Sequence, residues 1–200
     1  MIIEKYDNVD IAAYQRAKKG QTCCGDSYFM VETKGYFVCA VADGLGSGPE
    51  AKKSSEAAIQ VVKRCHSGDV QTIMEECNRT LTGKRGAVLG LLKVDYEKRE
   101  IVYSSVGNIR FILYSPTGKI TYPLPKSGYL SGRPVDIPVQ QIAYEEDSTF
   151  LIHSDGLQLK SLKKVIWKMT SPEVASTELK KYVAEGLDDT TFIVGKIHSS

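Results

Sequence analysis

The sequence predicts an α+β domain in which antiparallel sheets are layered with helices. Apolar runs of strand length, separated by short polar turns, lie before residue 45 and again after residue 86. Between them stand two consecutive segments with helical periodicity, and a further helix and strand follow near the C-terminus. Each sheet must bury one face under helices or another sheet, so this order of elements favours layers. The 200 residues suit one core without disulfides or structural metal, and a single domain over 1–200 is expected.

Taken in order, "VDIAAYQRA" (9–17) and "SYFMVETKGYFVCAVA" (27–42) read as strands, the second broken into a hairpin at Lys34-Gly35. The pattern then changes to helix. "GPEAKKSSEAAIQVVKRCH" (48–66) has Pro49 near its start, Glu50 in its first turn, and Ala57, Ala58, Val61 and Val62 spaced for one face. "DVQTIMEECNRTL" (69–81) follows, with Asp69 as N-cap and Val70, Ile73, Met74 and Cys77 at helical spacing. "AVLGLLKVDY", "EIVYSSVG" and "IRFILYS" are three strands whose close spacing predicts an antiparallel meander, the last two joined at Gly107-Asn108. The Pro-, Gly- and Ser-rich segment 115–138 reads as an ordered loop over a sheet edge and, from its composition, as a region that helps choose a substrate. "STFLIHS" is a strand and Ser154-Asp155-Gly156 a turn. "EVASTELKKYVAEG" is a helix entered at Ser171-Pro172 and closed by Gly186, and "TTFIVGKI" is the final strand.

With 26 basic and 24 acidic residues the net charge is +2, which gives no broad electrostatic footprint for nucleic acid or anionic lipid. A protein or small-molecule substrate is expected instead. Cys23, Cys24, Cys39, Cys65 and Cys77 are odd in number and lack C-x-x-C spacing, which argues against a zinc site and a disulfide framework and for a reducing compartment. Glu4, Lys5 and Asp7 fall where a signal peptide would be apolar, and no apolar run is long enough to span a bilayer, so a cytoplasmic protein is expected.

The chemistry begins with an internal echo. "FVCAVADGLG" and "TFLIHSDGLQ" are both apolar strands followed by Asp-Gly-Leu, while "CGDSYFMV" and "GLDDTTFIV" place aspartates just before strands. Neighbouring ends of antiparallel strands share one sheet edge, so Asp26, Asp43, Asp155, Asp188 and Asp189 can converge there. Clustered carboxylates repel one another unless a cation or proton sits among them, and hard oxygen donors favour Mg²⁺ or Mn²⁺ over zinc. Two such ions would acidify a shared water and clamp a phosphoryl oxygen, the chemistry of phosphate-ester hydrolysis. Any one Asp-Gly is also ordinary turn chemistry; four apolar strands bordered by aspartate outweigh that reading.

Nucleotide-binding alternatives fail on spacing. "VADGLGSG" is G-x-G-x-G rather than G-x-G-x-x-G, and Lys52 and Lys53 do not follow the second glycine as a P-loop requires. His153 reads as a packed histidine behind the site rather than a base, and His153, Ser154 and Asp155 make no triad because adjacent strand residues point to opposite faces.

"GQTCCGDSYF", "VADGLGSG", "SVGNIRFIL", "HSDGL" and "DDTTFIV" resemble, in the same order and over nearly the whole chain, motifs of the metal-dependent protein serine/threonine phosphatases, the PPM or type 2C family. The D-G-x-G-x-G form and the compact length resemble its bacterial sporulation and stress-response branch. The resemblance implies an α-β-β-α sandwich with two Mn²⁺ or Mg²⁺ ions at one end. It implies that Asp43 bridges both ions and so carries the catalytic water. It also implies that the Gly44 carbonyl and Asp26 serve one ion, that Asp155 and Asp188 hold the other, and that Asp189 orients its neighbours.

Many members of the family have His where Leu45 stands and an acidic residue where Gly25 stands. Their absence leaves the leaving oxygen to be protonated by a water or the metal hydrate, and one ion more weakly held. Arg16 is the nearest counterpart of an N-terminal phosphate-binding arginine. Within the stress-response branch, the resemblance implies that the substrates are phosphorylated proteins of the stressosome, RsbS and RsbR. It further implies that dephosphorylating them exerts negative feedback on the general stress sigma factor, sigma-B. A function of another class, a catalytically weak or inactive docking module on the same fold, would not need the clustered aspartates, and their presence favours the enzyme.

Overall fold

The structure, a computed structural model, describes residues 1–159, 171–183 and 186–198. Strands β1 (Ile2–Lys5), β2 (Val9–Arg16), β3 (Asp26–Glu32) and β4 (Tyr36–Gly44) precede helices α1 (Pro49–Cys65) and α2 (Val70–Thr80). Strands β5 (Ala87–Asp95), β6 (Glu100–Val106), β7 (Arg110–Tyr114), β8 (Ile120–Thr121), β9 (Val139–Ala143) and β10 (Thr149–His153) follow. Helix α3 (Pro172–Leu179), one 3-10 turn at Lys180–Tyr182 and β11 (Thr190–Ile197) complete the described chain. One sheet has the order β1-β2-β11-β10-β7-β8 and the other β3-β4-β5-β6-β9, with antiparallel pairing throughout.

The two sheets pack face to face. Ile11, Phe37, Cys39, Val41, Phe111, Phe150 and Ile193 are buried between them, and the Phe37 and Phe150 rings lie 6.0 Å apart. The opposite face of β4 carries Val38, Ala40 and Ala42, which meet Ala58 and Val62 of α1 and Met74 and Cys77 of α2. Helix α3 covers the other sheet, with Ala175 and Leu179 among Leu151, Phe192 and Val194. Because β4 is covered on both faces its sequence is continuously apolar rather than alternating. The layers are therefore helix, sheet, sheet, helix, as expected.

Helix α2 begins where Asp69 accepts the Thr72 amide at 2.8 Å. Pro49 starts α1, where a missing N–H is harmless. Cys39 and Cys77 are buried free thiols, and none of the five cysteines forms a disulfide. Among the described residues no helix is long and apolar enough to cross a membrane.

Three expectations are corrected. The meander stops after two strands: β5 and β6 pair, but β7 leaves for the other sheet and pairs with β10 and β8. Ile109, just past the Gly107-Asn108 turn, is fully buried between the sheets, and its burial carries the chain across the gap. The late helix ends at Leu179 rather than running to Gly186; Ala184 and Glu185 of that span lie outside the described residues. Asp43 and Gly44 are the last residues of β4 rather than a turn after it, because their pairing with Val88 and Ala87 continues the ladder. Strands β1, β8 and β9 were not anticipated. They are a short edge strand, a two-residue strand, and a strand largely open to solvent, whose patterns carry little apolar signal.

Candidate metal centre

The two strands of the sequence echo lie on facing sheets. β4 runs from Phe37 toward Asp43, β10 from Phe150 toward Asp155, and the packed rings fix the two strands against each other. Their C-terminal ends share one edge of the sandwich with the N-terminal ends of β3 and β11. Asp26 opens β3 and is the register partner of Asp43. Asp155 stands just past β10, and Asp188 just before β11. The sandwich thus collects carboxylates from four strand ends, two on each sheet.

Their surroundings differ. Asp26 is buried, 2% exposed, and its Oδ2 accepts a hydrogen bond from Ser154 Oγ at 2.8 Å. Ser154 Oγ in turn accepts the Thr191 amide at 2.9 Å, so the hydroxyl ties the edge of one sheet to the other. Gln15 Nε2 donates to the Asp26 carbonyl and to Thr191 Oγ1, both at 3.1 Å. Asp155 is exposed, and its Oδ2 accepts from Asn108 Nδ2 at 2.7 Å. Asp188 is exposed and its Oδ1 accepts the amide of Asp189 at 3.0 Å.

Asp189 is held differently from this group, though its charge also acts on Asp26. It is buried, with Oδ1 accepting the Lys18 amide at 2.8 Å and Oδ2 the Gly25 amide at 2.9 Å. It pins the N-terminal loop to the start of β11. His153, 2% exposed, directs Nδ1 to the Ser154 carbonyl at 2.8 Å and lines a cavity of about 250 Å³ with Arg110 and Asp155. Burial lowers its pKa to about 4, so the ring is neutral at physiological pH. Arg16 ends β2 opposite Thr190, exposed at the same end of the sandwich.

Electrostatics marks the cluster. Burial pushes the Asp43 carboxyl far above the ordinary carboxylate range, and the charges of Asp26, Asp155 and Asp188 push it further. Burial also raises Asp26, against the hydrogen bonds from Ser154 and Thr191 that oppose the shift. Asp155 is raised by burial and then by Asp188. Each of these groups resists ionising beside the others, and a cation among them removes that resistance.

Divalent ions fit this donor set. Asp26 Oδ1 is a buried oxygen without a hydrogen-bond partner, an arrangement that is costly unless something else satisfies the atom. The donors are all oxygens, which suits Mg²⁺ or Mn²⁺. Among the described residues no three His, Cys, Asp or Glu side chains already surround one point. Hard cations of this kind keep several waters, so a few carboxylates and a backbone carbonyl are enough. Gly44 is demanded by the close approach of α1: a Cβ there would lie 1.8 Å from the Ala51 carbonyl oxygen. Gly25 is less tightly placed: a Cβ there would lie 2.8 Å from Asp189 Oδ2, a side-chain atom.

Ser154, Gln15, Thr191 and Asn108 were missed as contributors. Polar residues at strand ends are common, and nothing in their spacing separates these four from ordinary edge residues.

The family Stage II sporulation protein E (SpoIIE) matches residues 33–194 of the chain. Phosphoserine phosphatase RsbX of Bacillus subtilis (strain 168) is 44% identical over 195 residues, covering 98% of both proteins. A crystal structure of RsbX in complex with magnesium superposes with a TM-score of 0.94 at 43% identity, over 98% of each chain. A chain from a structure of the bacterial stressosome, described as a modular system adapted to control secondary messenger signalling, matches with a TM-score of 0.84 at 33% identity, over 94% of this chain and 100% of that one. The PP2C phosphatase domain of SpoIIE from Bacillus subtilis shares the fold, with a TM-score of 0.83 at 19% identity over 96% of this chain and 64% of that one.

Proposed function

The chain belongs to the SpoIIE family of PP2C-type phosphatases, and on that premise we propose that it is a metal-dependent phosphoserine/phosphothreonine protein phosphatase of the RsbX kind. Its substrates are phosphorylated stressosome proteins of the RsbS and RsbR type, and their dephosphorylation damps the sigma-B stress response. The whole chain, 1–200, acts as one phosphatase domain. The observation that carries the reading is the pairing of Asp26 with Asp43 on one sheet beside Asp155 and Asp188 on the other, with a buried Asp26 oxygen left for an ion.

Asp43 and the Gly44 carbonyl, with Asp26, would hold one ion; Asp43, Asp155 and Asp188 would hold a second. Divalent ions supply charge to neutralise phosphoryl oxygens and to acidify water. The protein's part is placement. Ser154 and Gln15 fix Asp26, Asn108 fixes Asp155, and Asp189 fixes the Lys18 and Gly25 amides beside them. Leu45 has no proton to give, and His153 is buried, neutral and engaged with the Ser154 carbonyl. The leaving serine or threonine oxygen therefore takes its proton from solvent water. A docking module would have no use for a cluster of mutually repelling carboxylates, and nothing in the site favours one.

The test is phosphate release from phosphorylated RsbS-type protein with Mn²⁺, with Mg²⁺ and with chelator, for the native chain and Asp43→Asn. Metal-dependent release that disappears in the variant supports the assignment. Equal release by the variant refutes it, and no release with any metal removes the enzyme reading.

A further inference from the structure

Beyond the last register pair of β4 and β5, Gly44 with Ala87, the two chains continue side by side: the Leu45 amide donates to the Gly86 carbonyl at 3.0 Å. Arg85 lies next in line, its Nη1 2.9 Å from where a Cβ on Gly46 would stand. It therefore rests on the glycine loop that follows Asp43 and Gly44 at the end of β4. Tyr129 and Leu45 flank Gly86 in the same way, with ring and methyl atoms 3.0 and 3.4 Å from a Cβ built there. Here a cleft of about 410 Å³ opens between the turn after α2 and the segment 129–133.

Its walls carry Lys84, Arg85 and Arg133 with Thr82, Ser131 and Tyr129, and no carboxylate. Among the described residues no acidic side chain forms an ion pair with any of the three cations. The nearby Glu50 is hydrogen-bonded to Lys53 at 2.6 Å. Glu50 feels the charges of Arg85 and Lys84 as well as that of Lys53, but it is paired with Lys53, so among the described residues the three exposed cations have no ion-pair partner.

The cleft is also built rather than loose. Leu130 and Ala87 exchange both backbone hydrogen bonds, at 2.8 and 3.0 Å. Asn78 of α2 accepts the Ser131 and Gly132 amides at 3.0 Å each and donates to the Arg133 carbonyl at 2.9 Å. The Arg133 backbone is thus fixed to the helix that precedes Lys84 and Arg85. Gly46, against which Arg85 Nη1 rests, is three residues along the chain from Asp43, so it lies within about 10 Å of that aspartate.

We propose that this cleft is the docking site for acidic side chains of the phosphoprotein substrate, two to four residues from the phosphorylated one. An extended peptide covers about 10 Å in about three residues, so a phosphoserine at the carboxylate cluster delivers such a side chain to Lys84, Arg85 and Arg133. Acidic flanks then provide selectivity and steering, for which charge complementarity is well suited. The proposal rests on the phosphatase reading for where the phosphoserine sits, but its binding test does not depend on turnover.

The chain with Mn²⁺ is titrated against two fluorescein-labelled peptides in which a non-hydrolysable phosphonate replaces the phosphoserine, so that no hydrolysis occurs. One has Asp and Glu at the flanking positions and the other has Asn and Gln. The native chain should bind the acidic peptide about tenfold more tightly, with the difference shrinking as salt is raised. The double variant Lys84→Gln/Arg133→Gln should lose the preference, and Lys84→Arg/Arg133→Lys should keep it. The proposal is overturned if the native chain shows no preference, or if the Gln variant retains it. Hydrolysis of p-nitrophenyl phosphate by the native chain with Mn²⁺ separates the two readings: its absence would remove the phosphatase while leaving the docking result standing.

Discussion

Asp43 combines a functional demand with a structural penalty. It sits half-buried among Asp26, Asp155 and Asp188, and both burial and their charges hold its carboxyl toward the neutral form. Replacing it with Asn keeps the shape and removes the charge. Turnover should fall by about 100-fold or more, since the chemistry supplied by the ions is worth several kcal/mol. In chelator the same variant should melt at a higher temperature than the native chain, by about 1 kcal/mol or more of stability. Thermal unfolding with and without Mn²⁺ checks both halves, because the metal should stabilise the native chain and much less the variant. Gly44→Ala acts differently: its Cβ would meet the Ala51 carbonyl oxygen at 1.8 Å and the carbonyl carbon at 2.4 Å, both backbone atoms of α1. Helix and strand must part, so a loss of about 3 kcal/mol is expected in a melt. The aspartates were legible in the sequence because each borders an apolar strand. The grip of Asp189 on the Gly25 amide, 164 positions away, was not, because such a bond exists only after β3 and β11 have been brought together.

At the scale of elements, strands with two covered faces announced themselves: β4, β5 and β11 are apolar nearly throughout. Which sheet a strand joins was harder to read. The turn between β6 and β7 is as short as a hairpin turn, and local spacing cannot distinguish pairing from a crossing to the facing sheet. What decides is the burial of Ile109 and Phe111 between the sheets, a long-range fact. The segment 115–138 shows the same limit. Its composition marked it as an ordered loop, but its order comes from Asn78 and from bridges to Ala87 and Val106, which no local pattern records. Removing the clamp tests this. Asn78→Ala should destabilise the chain by about 1 kcal/mol. It should also speed amide hydrogen exchange at Ser131 and Gly132 while leaving β5 and β6 protected. Uniform acceleration over the whole sheet would mean that Asn78 supports α2 rather than the loop.

For the whole molecule, the two-sheet sandwich closes at one end on a set of like charges, and that sets how the metal-free fold responds to pH. Asp26, Asp43 and Asp155 all have carboxyls raised above their unfolded values. A group raised in the folded state is protonated there more readily than in the unfolded chain. Its favourable contribution is complete below the unfolded carboxylate range and is lost as pH rises through the folded value. Metal-free protein should therefore grow less stable as pH climbs from the ordinary carboxylate range through neutrality. His153 does not reverse this: its depressed pKa keeps its contribution intact above the ordinary histidine range and erodes it only as pH falls toward 4. Divalent cations bind the ionised carboxylates, so the stabilisation by Mn²⁺ or Mg²⁺ should increase over the window in which the metal-free chain weakens. Melting temperatures across pH 5 to 8, with chelator and with each metal, give both curves. Parallel curves would mean that the ions and the protons do not compete for the same carboxylates, and the cluster at the sandwich end would lose its assignment as the metal centre.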